Sequence, residues 1–144
     1  MCINTFRNLS NFEPLDKMTK ESNLIKNDHL FVSNAGHKGR GVFTSKLLKK
    51  GDLIEICPVI EVSYKDHQKM VGHILENYTF VWNTKKRSAA IILGFGSLYN
   101  HSVKPNADYL KRLKDGVMIF KALKSIKPGE EITIDYGAMH SDLN

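Results

Sequence analysis

From residue 29 onward, apolar residues occur in short runs that are interrupted by glycine, proline, asparagine and aspartate. Runs of this kind, bounded by turn residues, are typical of β-strands. The pattern predicts strands at residues 30–33, 41–44, 53–62 with an interruption at Pro58, 78–82, 89–93, 107–110, 117–122 and 132–136. Because these strands are short and evenly spaced, as in barrels and folded sheets, we expect a mostly β architecture.

One segment has helical spacing instead. Met70, Ile74 and Leu75 would place one apolar face of a short helix against the core, so we predict a helix over residues 66–76. Gly72 lies inside this segment and weakens the helix.

Several turns are also predicted. Asp115 and Gly116 indicate a two-residue hairpin turn at the tip of the charged segment 111–116. Residues 50–52, Lys-Gly-Asp, and residues 127–129, Lys-Pro-Gly, are similar turns that each precede a predicted strand. Glycine and proline suit such positions because they meet special backbone requirements.

The length of 144 residues corresponds to one domain. We predict an N-terminal extension at residues 1–26, a domain at 27–137 and a short tail at 138–144. No apolar run approaches the roughly 20 residues of a membrane span, and the N-terminus lacks the apolar stretch of a secretory signal. We therefore expect an intracellular protein without a membrane segment. The only cysteines, Cys2 and Cys57, are predicted to be free thiols, and we expect no metal site.

The chain is basic, with 21 Lys and Arg against 15 Asp and Glu, a net charge of +6 and a pI near 9.3. This balance favours phosphate-rich or acidic partners such as nucleic acid or nucleoprotein. The basic residues are spread over several predicted turns and strands: Lys49, Lys50, Lys85, Lys86, Arg87, Lys111, Arg112, Lys114, Lys121, Lys124 and Lys127. Because no RNA-binding motif with interleaved aromatic residues accompanies them, the plainer interpretation is a set of solvated faces.

Three motifs contain residues suited to chemistry. Gly39 and Gly41 flank Arg40 before a predicted strand, a pattern that alone most often marks a tight hairpin turn. Asn100 and His101 follow an apolar run, where polar side chains need hydrogen-bond partners, either a ligand or another chain segment. The third motif, residues 135–137, reads Asp-Tyr-Gly at the end of a predicted strand.

Hydrolytic chemistry is not indicated by these residues. His101 stands beside Ser102, but adjacency does not make a catalytic dyad, and the Gly-X-Ser-X-Gly elbow is missing around Ser97 and Ser102. Glu130 and Glu131 are adjacent strand residues that point to opposite faces, so we expect one core-facing polar contact and one solvent contact rather than an acid/base pair.

Together, the three motifs resemble the SET domain, a family of lysine methyltransferases that use S-adenosylmethionine. The segment 93–96, Leu-Gly-Phe-Gly, followed by Asn100, His101 and Ser102, is similar to the smallest stand-alone members, including a viral SET protein. The resemblance covers residues 30–137. It implies a fold of short curved β-sheets with a knot-like core and one or two short helices.

The resemblance also implies roles for individual residues. Tyr136 is the expected catalytic residue, acting by orientation and electrostatics. The expected cofactor-binding residues are Lys38, Gly39, Arg40, Gly41, Tyr78, Asn100 and His101. Phe95, Tyr99 and Tyr136 are the expected walls of the substrate lysine channel, where aromatic faces attract methylated ammonium groups. A core role is the alternative for the tyrosines, and Trp82 is expected to be structural.

The reaction implied by the family is an in-line displacement that needs aligned reactants, excluded water and a neutral lysine amine, but no metal. The expected substrate is a protein, with a histone tail as the family's habitual target. Contact with a nucleosome through the basic surface, a nuclear address in its own or a host cell, and a homodimer are further expectations.

Two other interpretations fit the same sequence. The cysteine-rich segment that closes the lysine channel in many relatives has no counterpart in residues 138–144, so a partner subunit, the extension or the tail would have to replace it. Without closure, the chain could be an inactive SET-like module that binds protein. A basic β-barrel that binds nucleic acid is the third interpretation.

Overall fold

The computed structural model describes residues 25–137, which form two curled sheets with few helical turns. The larger sheet contains β1 (Ile25–Lys26), β4 (Leu53–Val62), β5 (Thr79–Val81), β6 (Ala89–Ile92), β8 (Ala107–Arg112) and β9 (Val117–Ala122). Its strand order is β5-β6-β4-β9-β8, with β1 also paired to β4. The smaller sheet has the order β2 (Leu30–Asn34), β3 (Arg40–Thr44), β10 (Glu131–Ile134) and β7 (Asn100–His101). The predicted mostly β class is confirmed.

The predicted extension and tail fall largely outside the described residues, which exclude 1–24 and 138–144. The last two residues of the predicted extension, Ile25 and Lys26, pair with Ile56 and Glu55 of β4. The larger sheet therefore begins two residues before the predicted domain boundary.

The predicted helix over residues 66–76 is wrong in extent. Helix α1 spans only Tyr64–Gln68, where the Ser63 hydroxyl caps it by accepting a hydrogen bond from the Asp66 N–H at 3.1 Å. Gly72 then adopts a φ of 80°, which is incompatible with a continuing helix, and a separate 3₁₀ turn follows at Ile74–Tyr78. Two further 3₁₀ turns lie at Gly36–Lys38 and Gly96–Leu98.

The predicted two-residue turn at Asp115 and Gly116 is also wrong. The last paired residues of β8 and β9 are Arg112 and Val117, so residues 113–116 form a four-residue loop. A two-residue turn of the Asp-Gly type requires positive φ at both positions, but only Gly116 has it here, at 65°.

Two predicted strand boundaries change for identifiable reasons. Pro58 does not interrupt β4, because it lies at the last pairing with β9 and just before the pairing with β6 begins at Val59, where its missing N–H removes no interior ladder bond. Tyr136 does not end a strand, because β10 stops at Ile134. The tyrosine instead belongs to the turn that follows.

β7 lies beside β10 in the smaller sheet. The two short strands pair in parallel, with Thr133 opposite Asn100 and Ile134 opposite His101. The pairing continues when the Ser102 N–H donates to the Ile134 carbonyl at 2.9 Å. Residues 100–102 and the end of β10 are thereby fixed side by side, although they are distant in sequence.

The larger sheet curls until its two edge strands, β5 and β8, meet. Phe80 of β5 contacts Tyr109 of β8 edge to face, with ring centroids 5.5 Å apart. The Lys111 ammonium group donates to the carbonyls of Val81 at 3.4 Å and Trp82 at 3.3 Å. The Trp82 side chain is buried in the main core, as expected for a structural residue.

Within residues 25–137, no helix is both long and apolar enough to cross a membrane.

Candidate active site

Two cavities meet at Tyr136. Cavity one has a volume of about 720 Å³ and lies against the Gly36–Lys38 turn and β7. Cavity two has a volume of about 780 Å³ and lies between β5 and β8. Asn77, Ser97 and Tyr136 line both cavities, so the phenol of Tyr136 stands at their junction.

A glycine bend forms one wall of cavity one. Gly39 has a φ of 79°, and its carbonyl accepts a hydrogen bond from the Ala35 N–H at 2.7 Å. No heavy atom lies within 4 Å of where a Cβ on Gly39 would be, so the backbone conformation rather than crowding calls for glycine here. Lys38 and Arg40, on either side, also line the cavity. The Gly39 N–H donates to the Gly36 carbonyl at 3.0 Å, so both backbone groups of Gly39 are used within the bend. The bend therefore brings the side chains of Lys38 and Arg40 to cavity one.

Asn100 ties this bend to β10. Its side-chain amide donates to the Arg40 carbonyl at 3.0 Å and to the Glu131 carboxylate at 2.7 Å. Glu131 also accepts from the Lys38 ammonium group at 3.2 Å. A single carboxylate thus holds both a cavity-lining amide and a cavity-lining cation.

Gly41 supports this network without lining either cavity. A Cβ at Gly41 would lie 2.5 Å from the nearer Glu131 oxygen and 2.9 Å from the Asn100 amide nitrogen. Only glycine leaves room for these two side chains to meet. The structure therefore places Gly41 behind the cavity wall.

His101 contacts Tyr136 but does not line either cavity. Its Nδ1 accepts a hydrogen bond from the Tyr136 N–H at 3.2 Å, and the two ring centroids are 5.3 Å apart. Asp135 lies 3.7 Å from the same nitrogen. His101 therefore holds the turn that carries Tyr136.

The Tyr136 hydroxyl donates a hydrogen bond to the Tyr99 carbonyl at 2.7 Å. Partial burial, together with the nearby Glu131 charge, raises the pKa of the Tyr136 phenol above its usual value. The phenol is therefore neutral at physiological pH. Its proton is directed at the Tyr99 carbonyl, and its lone pairs remain able to accept.

The side chain of Tyr99 departs from the expected channel position. It is fully buried and packs on Phe120 with ring centroids 4.7 Å apart. Its hydroxyl donates to the buried carboxylate of Glu55 at 2.8 Å. The expectation that this ring lines a channel is therefore corrected, because the ring faces the core and only the carbonyl of Tyr99 reaches Tyr136.

Phe95 departs in a similar way. It is partly buried against the main core and does not line either cavity. Its N–H donates to the Glu55 carboxylate at 3.0 Å. Glu55 thus fastens both Phe95 and Tyr99, the two ends of the segment that carries Ser97. Strand alternation in β4 gave no hint of a buried carboxylate here.

The aromatic walls of cavity two come from residues that the sequence analysis did not select. Phe80, Tyr109 and Tyr136 surround it, and the Phe80 ring lies 5.5 Å from the Tyr109 ring and 6.2 Å from the Tyr136 ring. Burial, followed by the charges of Asp108 and Asp135, raises the pKa of Tyr109 to about 12, so this phenol is also neutral. Only a weak sequence signal pointed to Tyr109, because β8 buries a lysine and leaves a leucine half-buried, against the usual alternation of apolar and polar residues.

Tyr78, which was expected to contact the cofactor, lines cavity one at the end of its 3₁₀ turn. Its carbonyl accepts a hydrogen bond from the Ser97 hydroxyl at 2.8 Å, and the Ser97 oxygen accepts from the Ile92 N–H at 2.9 Å. Ser97 therefore joins the cavity junction to β6. Nothing in the sequence distinguished Ser97 from an ordinary loop serine.

Within residues 25–137, no three His, Cys, Asp or Glu side chains are grouped so that they could hold a metal ion. Cys57 is free and buried, and desolvation raises the pKa of its thiol far above the usual range. The thiol is therefore not a nucleophile in this fold.

Comparison with known proteins agrees with this geometry. Residues 39–137 match the SET domain family. The chain is 34% identical over 109 residues to a histone-lysine N-methyltransferase, H3 lysine-37 specific, of Schizosaccharomyces pombe, covering 75% of this chain and 73% of that protein. It is 26% identical over 108 residues to the histone-lysine N-methyltransferase Suv4-20 of Caenorhabditis elegans, covering 74% of this chain and 37% of that protein.

A candidate histone methyltransferase of Plasmodium falciparum has a similar crystal structure. The TM-score is 0.63 at 30% identity, and the match covers 77% of this chain and 95% of that one. Together with two cavities joined at a tyrosine, these matches show that the chain belongs to the SET domain family of lysine methyltransferases.

Proposed function

We propose that this protein is an S-adenosylmethionine-dependent histone-lysine methyltransferase that binds its cofactor in cavity one and the substrate lysine in cavity two. The observation that carries the proposal is the junction of the two cavities at Tyr136. Methyl transfer requires donor and acceptor to approach in line from opposite sides of one point. Two cavities that share a wall residue offer such an arrangement.

Cavity one suits the cofactor in size and chemistry. A volume of about 720 Å³ lies within the range of roughly 300–1,000 Å³ of ordinary small-molecule sites. Lys38 and Arg40 bring positive charge toward a carboxylate, Asn100 offers its amide oxygen while its N–H groups hold the cavity wall, and Tyr78 offers an aromatic face. S-adenosylmethionine supplies an electrophilic methyl group when bound.

Cavity two suits an alkylammonium side chain. Phe80, Tyr109 and Tyr136 can enclose an aliphatic stem, and their faces attract an ammonium or methylammonium group. Because water is partly excluded by these rings, the neutral form of the lysine amine is favoured over the charged form. The attacking amine must be in that neutral form.

Tyr136 acts by orientation rather than as a base. Its hydroxyl proton is held by the Tyr99 carbonyl at 2.7 Å, and its raised pKa keeps the phenol protonated. The free lone pairs of this oxygen, together with the Tyr99 carbonyl, provide acceptors for the polarised hydrogens of the reacting groups. His101 keeps the tyrosine in place by accepting from its N–H.

The histone substrate is inferred from the relatives, two of which are named histone-lysine N-methyltransferases. A histone substrate implies action in a nucleus, where chromatin is found. The binding-only alternative is disfavoured by the intact junction, since a module that binds protein has no need of two cavities that meet at a neutral phenol.

The proposal is tested by incubating the protein with tritiated S-adenosylmethionine and free histones, nucleosomes or a cell lysate. We expect label on a histone lysine. For Tyr136→Phe we expect turnover to fall by about 100-fold, because an oriented acceptor at the reacting centre is lost. The affinity of this variant for the cofactor, measured by calorimetry, should change by no more than a few-fold.

Saturable cofactor heat without label on any protein would favour the binding-only module. An equal loss of turnover and cofactor affinity in Tyr136→Phe would show that the residue is structural. The absence of both cofactor heat and label would overturn the proposed function.

A further inference from the structure

Two loops that the reaction does not use lie together at one place in the fold. Loop one (residues 45–52) joins β3 to β4, and loop two (residues 123–130) joins β9 to β10. Loop one reads Ser-Lys-Leu-Leu-Lys-Lys-Gly-Asp and loop two reads Leu-Lys-Ser-Ile-Lys-Pro-Gly-Glu. Both loops carry lysine at the second and fifth positions, an aliphatic residue at the fourth, glycine at the seventh and an acid at the eighth.

The two loops pack against each other with approximate two-fold symmetry. Leu48 and Ile126 exchange both backbone hydrogen bonds at 2.9 Å. The Gly51 N–H donates to the Ala122 carbonyl at 2.8 Å, and in the equivalent position the Gly129 N–H donates to the Thr44 carbonyl at 2.7 Å. The backbone therefore holds the loops in a fixed mutual orientation.

The acidic residue at the end of each loop is used locally. Asp52 accepts a hydrogen bond from the Lys49 N–H at 2.7 Å, and Glu130 accepts from the Lys127 N–H at 2.9 Å. Glu130 also accepts from the Asn106 amide at 3.2 Å. Both carboxylates are therefore turned toward backbone and amide donors of the loops.

The lysine side chains, in contrast, are exposed. The five exposed lysines of the two loops are Lys46, Lys49, Lys50, Lys124 and Lys127. Among residues 25–137, no carboxylate forms an ion pair with any of the five. Leu47 of loop one and Leu123 of loop two are exposed as well. These five lysines are called the paired-loop surface, and their backbone is held in place by the hydrogen bonds between the two loops.

We propose that the paired-loop surface binds the phosphate backbone of duplex DNA. Its two lysine sets are related by an approximate two-fold axis, and the two strands of a DNA duplex are related by local two-fold axes as well. A dyad-related protein surface matches dyad-related phosphates, as in dimers that bind palindromic sites. Lysine contacts to phosphates release counterions and give affinity without sequence preference.

The proposal rests on the proposed function for its biological setting, since DNA lies beside histone tails in a nucleosome. None of the five lysines lines either cavity. Because β10 runs from the paired-loop surface toward Tyr136, strand geometry separates the two by roughly 15 Å. A tail lysine close to its exit from the nucleosome is thus the substrate class that this arrangement favours.

The test measures binding of the full chain to a labelled duplex of about 20 base pairs by fluorescence anisotropy over a range of salt concentrations. The variant replaces Lys46, Lys49, Lys124 and Lys127 by glutamine. The matched control makes the same change in charge with exposed lysines outside the surface, Lys65, Lys85, Lys86 and Lys114. Thermal melts establish that both variants are folded.

We expect the paired-loop variant to lose roughly three to four units of salt slope and to bind the duplex at least about a hundredfold more weakly near 0.1 M salt, while the control changes little. Because the loops are equivalent, Lys46→Gln with Lys49→Gln should lose about half of that slope, and Lys124→Gln with Lys127→Gln a similar share. Replacement of the same four lysines by arginine should keep the affinity and serves as the folded comparison if the glutamine variant does not fold.

An equal loss of DNA affinity in the paired-loop variant and the control would show that only net charge matters, and would overturn the proposal. Unchanged DNA affinity in both variants would overturn it as well. Methylation of a free histone peptide should be the same in all variants, whereas methylation of nucleosomes should fall in the paired-loop variant. DNA affinity is measured without cofactor, so a chain that binds DNA through this surface but methylates nothing would refute the proposed function and leave this surface established.

Discussion

Protonation of a single phenol determines how Tyr136 can act. Its pKa is raised chiefly by burial and further by Glu131, so the neutral form persists beyond the usual titration range of tyrosine. A raised pKa means that the proton is held more tightly. The hydroxyl therefore remains a donor to the Tyr99 carbonyl throughout the physiological range.

This protonation state predicts the pH profile of the enzyme. We expect kcat/KM to rise from pH 7 to pH 9.5 as more of the substrate lysine, whose ordinary pKa is about 10.4, becomes neutral. Tyr136→Phe should show the same rising shape at lower amplitude. The measurement is a methylation rate series in matched ionic strength. A rate that rises and then levels off near neutrality in the parent chain, but not in Tyr136→Phe, would show that the tyrosine titrates and acts as a base.

Asn100 provides a second prediction at the residue scale. Asn100→Ala removes two hydrogen bonds that join β3, β7 and β10, so we expect a loss of about 1–2 kcal/mol in unfolding free energy and weaker cofactor binding. Asn100→Asp should be worse, since a carboxylate would replace the amide that lies 2.7 Å from a Glu131 oxygen.

Thermal melts with and without S-adenosylmethionine check this order. The cofactor should raise the melting temperature less in both variants than in the parent chain. If Asn100→Ala and Asn100→Asp were equally stable, the hydrogen bond between Asn100 and Glu131 would not contribute to stability. Ser102→Ala, at a neighbouring position outside both cavity linings, is the control.

Side-chain roles were predictable to different degrees. The motif residues around Arg40, Asn100 and Tyr136 could be selected from the sequence. Polar side chains next to apolar strands need hydrogen-bond partners, and glycines there mark special backbone conformations. The aromatic walls of the lysine channel could not be selected in this way. The family resemblance pointed to aromatic residues near the Asn-His motif, whereas Phe80 and Tyr109 of the sheet edges line cavity two. Which aromatic ring faces a cavity depends on how the sheet curls.

At the scale of the elements, strands were easier to predict than the segments between them. The presence of both β8 and β9 was predicted, and the nearly continuous buried run in β9 follows from its apolar sequence. The alternating burial along β8 does not, because it buries Lys111 and leaves Leu110 half-buried. The predicted helix between β4 and β5 was wrong because the apolar residues of this segment do not pack on the core. Ile74, for example, is 70% exposed. Helical spacing alone cannot distinguish a core-facing helix from a solvent-facing turn.

Closure of the larger sheet predicts a role for Lys111. Lys111→Met keeps the aliphatic stem but removes the hydrogen bonds to the Val81 and Trp82 carbonyls, so we expect a loss of about 1–3 kcal/mol in unfolding free energy. Because the same edge contact holds Phe80 against Tyr109, the KM for a lysine peptide should rise as well. Urea unfolding and steady-state kinetics measure the two effects.

Lys114→Met is the matched control, since Lys114 lies exposed in the loop at the end of β8. It should leave both unfolding free energy and KM nearly unchanged. If Lys111→Met altered stability alone, the edge contact would not shape cavity two.

For the molecule as a whole, the fold class and the neighbourhood of the site could be predicted from the sequence, whereas the contacts between distant segments could not. The buried Glu55 illustrates the difficulty, because its partners Phe95 and Tyr99 lie about 40 residues away and a carboxylate in an apolar strand gives no sign of them. The paired loops are a second example. Their similarity was visible in the sequence as two similar turns, but their contact with each other was not. Long-range pairing depends on tertiary packing.

The symmetry of the paired loops extends into the strands that flank them. β3 precedes loop one and pairs with β10, which follows loop two, while β4 follows loop one and pairs with β9, which precedes loop two. A strand–loop–strand segment of this kind is complementary to a copy of itself, so one short peptide unit would make all of these pairings with an identical neighbour.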